Sequence, residues 1–397
     1  ALDISAGIFE AGCPTMDPSY YHEGWNTYSA EEIKKAVNIP VITSHSLRNP
    51  EYCDRIIAEG KTDMVGLSRQ LIADPYWANK AKTGQVKEIR RCVSCLIGCW
   101  SESLMIKREM KCAINPVVGH YDEFLDMKPA NTKLRVAVVG GGVSGMEAAR
   151  IATLRGHKVT IFEKEDELGG ILRVCCMVPP KQRMRWYLFW IREQIAKLGV
   201  EVKLGTEATV EDLKGYDVVL CGTGAHTLRP DIKGIEKAVD FKDVLRCTRS
   251  NCEYYPETRK KPVKVGQKVL IWGDDYAATD TAETLAMKGK EVIIVTESEE
   301  WGQNLEVIHK EVMTMRFAGG NGQGLEGQPI KIPVVIKTGT TVTEIRDGEA
   351  ELMDNKFNKE VIQVDDVIIA KQQSNTRLYK TLLDAGLKVA LMGDAKK

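Results

Sequence analysis

Short apolar runs alternate with amphipathic stretches along the first 88 residues. Leu2–Ser5, Pro40–Thr43 and Asp63–Leu67 read as strands. Ser29–Val37, Pro50–Glu59 and Pro75–Thr83 read as helices. Ser29 with Glu32 three positions on has the form of a capping box, and Pro50 suits a first helical turn. Strand–helix repetition at this short period predicts parallel strands joined by right-handed crossovers. Three such units cannot close a barrel alone. They predict the last part of an eightfold β/α barrel, whose loops after the strands carry function.

A second pattern starts at Leu134. An apolar strand runs into Gly140-Gly-Gly142-Val-Ser-Gly145 and then a helix. The next strand, Lys158–Phe162, ends at Glu163. The turn glycine, the glycine that admits a pyrophosphate, the glycine for helix–strand packing and a ribose-binding acid stand at Rossmann spacing. Two later strands end in small residues, Gly222-Thr-Gly224 and Gly393-Asp394, where backbone can approach a dinucleotide. Between them Lys268–Trp272, a helix through Met287 and Glu291–Val295 repeat the pattern. Here Gly273-Asp-Asp275 has lost the second glycine, and a carboxylate beside a pyrophosphate is unfavourable. Asn321–Gly327 reads as a Gly- and Gln-rich loop, and Tyr121–Lys133 as a polar linker.

At 397 residues the chain predicts two or three domains. Its 55 basic and 55 acidic residues cancel, which argues against nucleic acid or an anionic membrane as partner. No apolar run has spanning length, and the N-terminus lacks the regions of a signal peptide. Eleven cysteines without a disulfide framework predict a reducing, cytoplasmic setting. Both ends fall abruptly beside strands, so a longer polypeptide is expected.

Four of those cysteines form a constellation: Cys92-x-x-Cys95-x-x-x-Cys99, then Cys112. Zinc and iron–sulfur clusters both take four thiolates. Three ligands close together and one distant suit a cubane better than the paired spacing of structural zinc. In the barrel-like part, the loops Ser44-His45-Ser46 and Ser68-Arg69 follow the second and third strands. Such loops commonly hold a phosphate through backbone N–H groups and a basic side chain, here Arg69. The long aromatic loop Phe9–Trp25 is either functional or a packed lid.

Barrel end, cysteine cluster, then a flavin-type glycine domain with an inserted second nucleotide domain resembles the multidomain NADH:flavin oxidoreductases related to old yellow enzyme. That group includes 2,4-dienoyl-CoA and 2-enoate reductases and trimethylamine and dimethylamine dehydrogenases. The resemblance implies an α/β chain divided as follows. Residues 1–88 would be the end of an FMN barrel and 89–130 the iron–sulfur segment and linker. Residues 131–262 with 376–397 would form the dinucleotide domain, and 263–375 a degenerate NAD(P)-like domain. It implies a [4Fe–4S] cluster on Cys92, Cys95, Cys99 and Cys112, and FMN phosphate near Ser44, His45, Ser46, Ser68 and Arg69. Two departures stand out there: Ser68 replaces a glycine, and His45-Ser46 replaces a Gly-Arg pair. FAD, with ADP as the alternative, is implied at Gly140, Gly142, Gly145, Glu163, Gly224 and Asp394.

The implied activity is flavin/iron–sulfur oxidoreduction of a small-molecule substrate, with electrons passing between FMN, cluster and dinucleotide. Asp275 tilts the reading away from NAD(P)H. It favours oxidation of an N-methylated amine or betaine-like compound, with an electron-transferring flavoprotein as acceptor. The alternative is NAD(P)H-driven reduction of an activated C=C bond. A third reading makes the fragment a non-catalytic electron-transfer piece. The spacing Cys95-x-x-x-Cys99 follows the reductases, and the trimethylamine pocket is not recognisable in Phe9–Asp17. No catalytic residue is assigned, because the first barrel strands are not in this sequence. Self-association into a homo-oligomer is a further expectation.

Overall fold

The computed structural model describes residues 1–8, 15–124, 127–178, 181–246, 262–320, 325 and 328–396. The Gly/Gln-rich stretch Asn321–Gly327 lies outside them apart from Leu325, as do most of Phe9–Asp17 and Cys13, Cys247 and Cys252. The chain divides into two compact units, one built mainly from residues 1–125 with 179–187 and 304–333, the other from the rest.

The first unit carries β1 (Leu2–Ile4), α1 (Thr27–Ala36), β2 (Val41–Thr43), α2 (Pro50–Ala58), β3 (Met64–Val65) and α3 (Arg69–Ala73). The strands form a parallel sheet in the order β1-β2-β3 with Leu2 opposite Val41 and Ile42 opposite Met64. Ile4, Ala30 and Val41 pack together, and α2 places Cys53 and Ile56 on Leu47, Trp77 and Ile89. Burying these side chains leaves the polar strand-end loops at one edge of the sheet. The helix starts earlier than the capping box suggested. Asn26 is the α1 cap residue and makes no side-chain cap bond, so Ser29 lies within the first turn. The reason is local: the turn at 23–26 runs straight into the helix, with Thr27 N donating to Gly24 O at 2.9 Å and Ser29 N to Asn26 O at 3.1 Å. Part of the polar linker is also a turn of helix, Tyr121–Phe124.

The second unit holds two all-parallel five-stranded sheets. One is centred on β4 (Arg135–Val139), which pairs with β5 (Lys158–Phe162) on one side and Val218–Cys221 on the other. Glu201–Lys203 and Val389–Leu391 complete its edges. The helix α4 (Val143–Leu154) follows β4. The other sheet is centred on β6 (Lys268–Trp272), followed by α5 (Tyr276–Met287) and β7 (Glu291–Val295). β6 pairs with β7 and with Asp366–Ile369. Val239–Asp240 joins this second sheet, so the two sheets interleave in sequence before residue 262. A three-stranded antiparallel meander over Thr340–Gln363 buries Val342, Ile345 and Leu352 against Leu270 and Trp272. Among the described residues no helix is long and apolar enough to cross a membrane.

Candidate functional site

The cysteine loop is held by α3. Gln70, almost fully buried, accepts from Cys92 N at 3.0 Å and donates to Arg90 O at 3.1 Å. Arg90 donates onward to Ile114 O and Asn115 Oδ1, both at 2.9 Å, and Asn115 donates to Ile72 O at 2.8 Å. One network therefore fixes both the start of the quartet and the Cys112 end. Between them Ser94 and Leu96 take left-handed φ values of 55° and 60°. Each costs on the order of 1 kcal/mol in a non-glycine residue. The chain then enters a π-helical segment, Ile97–Met105. Lys111 N donates to Gly98 O at 3.3 Å, and a Cβ on Gly98 would collide with the Lys111 carbonyl. Only glycine admits the Lys111–Cys112 segment so close.

Cys92, Cys95, Cys99 and Cys112 line one pocket together with Arg69. All four are free thiols in the structure. Burial, then the neighbouring thiols, pushes Cys95 up to about 12; burial with Cys92 pushes Cys99 up to about 11. Ligation must release those protons, so the charge of a metal centre is what makes thiolates here. Among the described residues no group of three or more His, Cys, Asp or Glu side chains is arranged to hold a metal ion, although the four cysteines share one pocket. Four sulfurs around a shared pocket fit the wider reach of an iron–sulfur cube. Gly98→Ala is expected to displace Cys112 and cut iron content severalfold, read by iron analysis of purified protein.

The loops after β2 and β3 both make contacts within the protein. His45 and Ser46 have φ values of 76° and 53°. His45 Nε2 accepts from Ala6 N at 3.0 Å, and Ser44 Oγ donates to Ile4 O at 3.2 Å, so the loop folds back on the end of β1. Arg69 does not present a free charge. Its guanidinium donates to the Asp17 backbone oxygen at 2.9 Å and makes an ion pair with the Asp17 carboxylate. The physical reason is burial: Asp17 is inaccessible, and a buried carboxylate needs a cation. Burial alone would raise its pKa, but Arg69, His45 and Arg48 outweigh this and hold it at about 2. His45 Nδ1 lies 3.6 Å from Asp17 Oδ1. Ser46 Oγ is buried without a partner among the described residues, whereas the Arg69 guanidinium is engaged by Asp17. Asp17, Gln70 and Asn115 escaped sequence reasoning. Only the adjacency of Gln70 to Arg69, and of Asn115 to Cys112, signalled the last two.

The dinucleotide residues converge in the second unit. Gly142 precedes α4 with no side chain capping the helix, and a Cβ there would meet nothing within 4 Å. The N–H groups of the first turn stay open to an anion, which fits a pyrophosphate. A Cβ on Gly145 would strike the Gly140 carbonyl oxygen. Glu163 Oε2 accepts from Gly141 N at 2.7 Å and Oε1 from Glu165 N at 2.8 Å. Its carboxylate is thus anchored to the glycine loop with lone pairs left for a ribose. Gly393–Asp394 packs beside α4, where a Cβ on Gly393 would reach Ser144. Gly224 has φ 68° and open space beside it.

At the second nucleotide-like unit the equivalent helix end is closed. Asp275 caps α5, its carboxylate accepting from Ala277 N at 2.9 Å and Ala278 N at 3.2 Å. Burial, with Asp274 and Asp280 nearby, raises its pKa, though the two amides counter this. Asp275→Ala is expected to cost about 1 kcal/mol through loss of the cap, seen as a lower Tm.

A cysteine quartet beside a strand-end loop system, followed in sequence by a dinucleotide-type fold, is the order of parts in this chain. Residues 15–88 match the NADH:flavin oxidoreductase / NADH oxidase family, and residues 97–214 match the pyridine nucleotide-disulphide oxidoreductase family. The chain belongs to the multidomain NADH:flavin oxidoreductase group. It is 36% identical over 402 residues to an NADH oxidase of Thermoanaerobacter brockii, covering 99% of this chain and 58% of the relative. It is 36% identical over 297 residues to a cinnamate reductase of Clostridium sporogenes, covering 74% of this chain and 42% of the relative. A solved 2-naphthoyl-CoA reductase superposes with a TM-score of 0.84 at 28% identity, covering 99% of this chain and 57% of the other. The chain thus spans about half the length of the relatives it matches.

Proposed function

We propose that the complete protein is a flavin/iron–sulfur oxidoreductase in which this chain supplies the [4Fe–4S] and dinucleotide sites. The β1–β3 sheet would be the closing part of the FMN barrel. The observation that carries the reading is the cysteine quartet lining one pocket, pinned at both ends by Gln70, Arg90 and Gly98. A bound cluster supplies one-electron transfer between flavins. The protein's part is to hold four sulfurs in register and keep basic charge beside them. At the dinucleotide end, the open α4 N-terminus and Glu163 would seat FAD, or ADP as the alternative.

The closed α5 N-terminus supports the oxidative direction. The substrate would be an N-methylated amine or betaine-like compound, and the electrons would leave to an external acceptor such as an electron-transferring flavoprotein. The reductive reading, NAD(P)H-driven reduction of an activated C=C bond, is favoured by the names of the NADH oxidase and cinnamate reductase relatives. Anaerobic titration of the full-length protein decides between them. Flavin bleaching by candidate amines but not by micromolar NADH supports the first. Rapid bleaching by NADH overturns it.

A further inference from the structure

Arg69 faces two ways. One side is committed to Asp17, through a carboxylate ion pair and a 2.9 Å bond to the Asp17 carbonyl. The other lines the pocket of the four cysteines. Asp17 is fully buried and also meets His45 at 3.6 Å. We propose that Arg69 and Asp17 form an internal charge pair that sets the reduction potential of the cluster, with Arg69 favouring the reduced state and Asp17 attenuating it.

The argument is electrostatic. A four-thiolate cluster is anionic, and accepting one electron makes it more so. A fixed cation against the sulfurs stabilises the added charge, and burial prevents water from screening it. The Arg69 charge acts on both Cys92 and Cys99, and Asp17 acts on Arg69. Asp17 is not part of the pocket lining, so its carboxylate weakens the cation's field without blocking the pocket. The event itself is simple: one electron enters the cluster from an external reductant, and neither residue gains or loses a proton. Across a shared pocket at an intermediate dielectric, removing one charge changes the ratio of reduced to oxidised cluster by about tenfold at fixed ambient potential.

The inference rests on the cluster reading given above, and the experiment separates the two. Full-length wild type, Arg69→Gln, Arg69→Lys, Asp17→Asn and the double variant Asp17→Asn/Arg69→Gln are purified anaerobically. Iron is measured, and the cluster is titrated with dithionite under EPR. Arg69→Gln should lower the midpoint potential and Asp17→Asn should raise it. Arg69→Lys should stay near wild type, and the double variant should fall below it. Opposite signs for the two partners are a signature that a merely structural role would not produce. The double variant removes both charges of this pair together, so it keeps the test alive if Arg69→Gln fails to fold. Wild type with no iron overturns both readings. Iron present with unmoved potentials, or shifts of one sign for both single variants, overturns this one alone.

Discussion

Replacing Cys112 with serine should leave a protein that folds but has lost its iron. Wild type should carry about four irons per chain, and the variant close to none, with the reduced-state EPR signal gone. The expectation follows from how the loop is built. Cys92, Cys95 and Cys99 come from one continuous stretch shaped by left-handed Ser94 and Leu96. Cys112 closes the pocket from a separate stretch, held by Asn115, Arg90 and the Gly98 contact. A hydroxyl is a poor ligand for iron bound by sulfide and thiolate. With three sulfurs left, the pocket loses its fourth wall, while the side-chain hydrogen bonds of Gln70, Arg90 and Asn115 that hold the loop remain. Dinucleotide retention serves as the internal control, because Gly140–Gly145 and Glu163 belong to the other compact unit. About one zinc and no iron in wild type would sink the cluster assignment.

What could be read from the sequence was what depends on local chain. The strands β1, β2, β4, β5, β6 and β7 follow from apolar runs, and the glycine loop follows from fixed spacing over six residues. The cysteine quartet was visible for the same reason. The Asp17–Arg69 pair was not, because its members stand 52 positions apart. Nothing local distinguishes a buried arginine committed to a carboxylate from one waiting for a phosphate. Asp275 was legible as an obstacle but not as a cap: the residue type named the charge, and only the structure showed the carboxylate turned onto the amides of Ala277 and Ala278. The joining of Val239–Asp240 to the second sheet was equally hidden, since two residues carry no periodicity.

Gly142→Val should abolish dinucleotide binding while leaving the fold intact, and the two effects separate cleanly at this position. Gly142 has φ −71° and ψ −176°, an extended conformation that valine adopts readily. A Cβ there meets no protein atom within 4 Å, so the branch point of the added side chain has open space. The open space is where a pyrophosphate would approach the first turn of α4. A branched side chain in that space holds the phosphates away from the N–H groups, and the loss should be at least about a hundredfold in affinity. Flavin or nucleotide content after gel filtration reads the loss, and thermal melting should stay near wild type. Gly145→Ala is the contrasting control. Its Cβ meets the Gly140 carbonyl oxygen and Val138, so strand and helix must part. That should cost about 1–3 kcal/mol and lower the Tm as well as the nucleotide content. If Gly142→Val keeps its nucleotide, the pyrophosphate lies elsewhere and the assignment of Gly140–Gly145 fails.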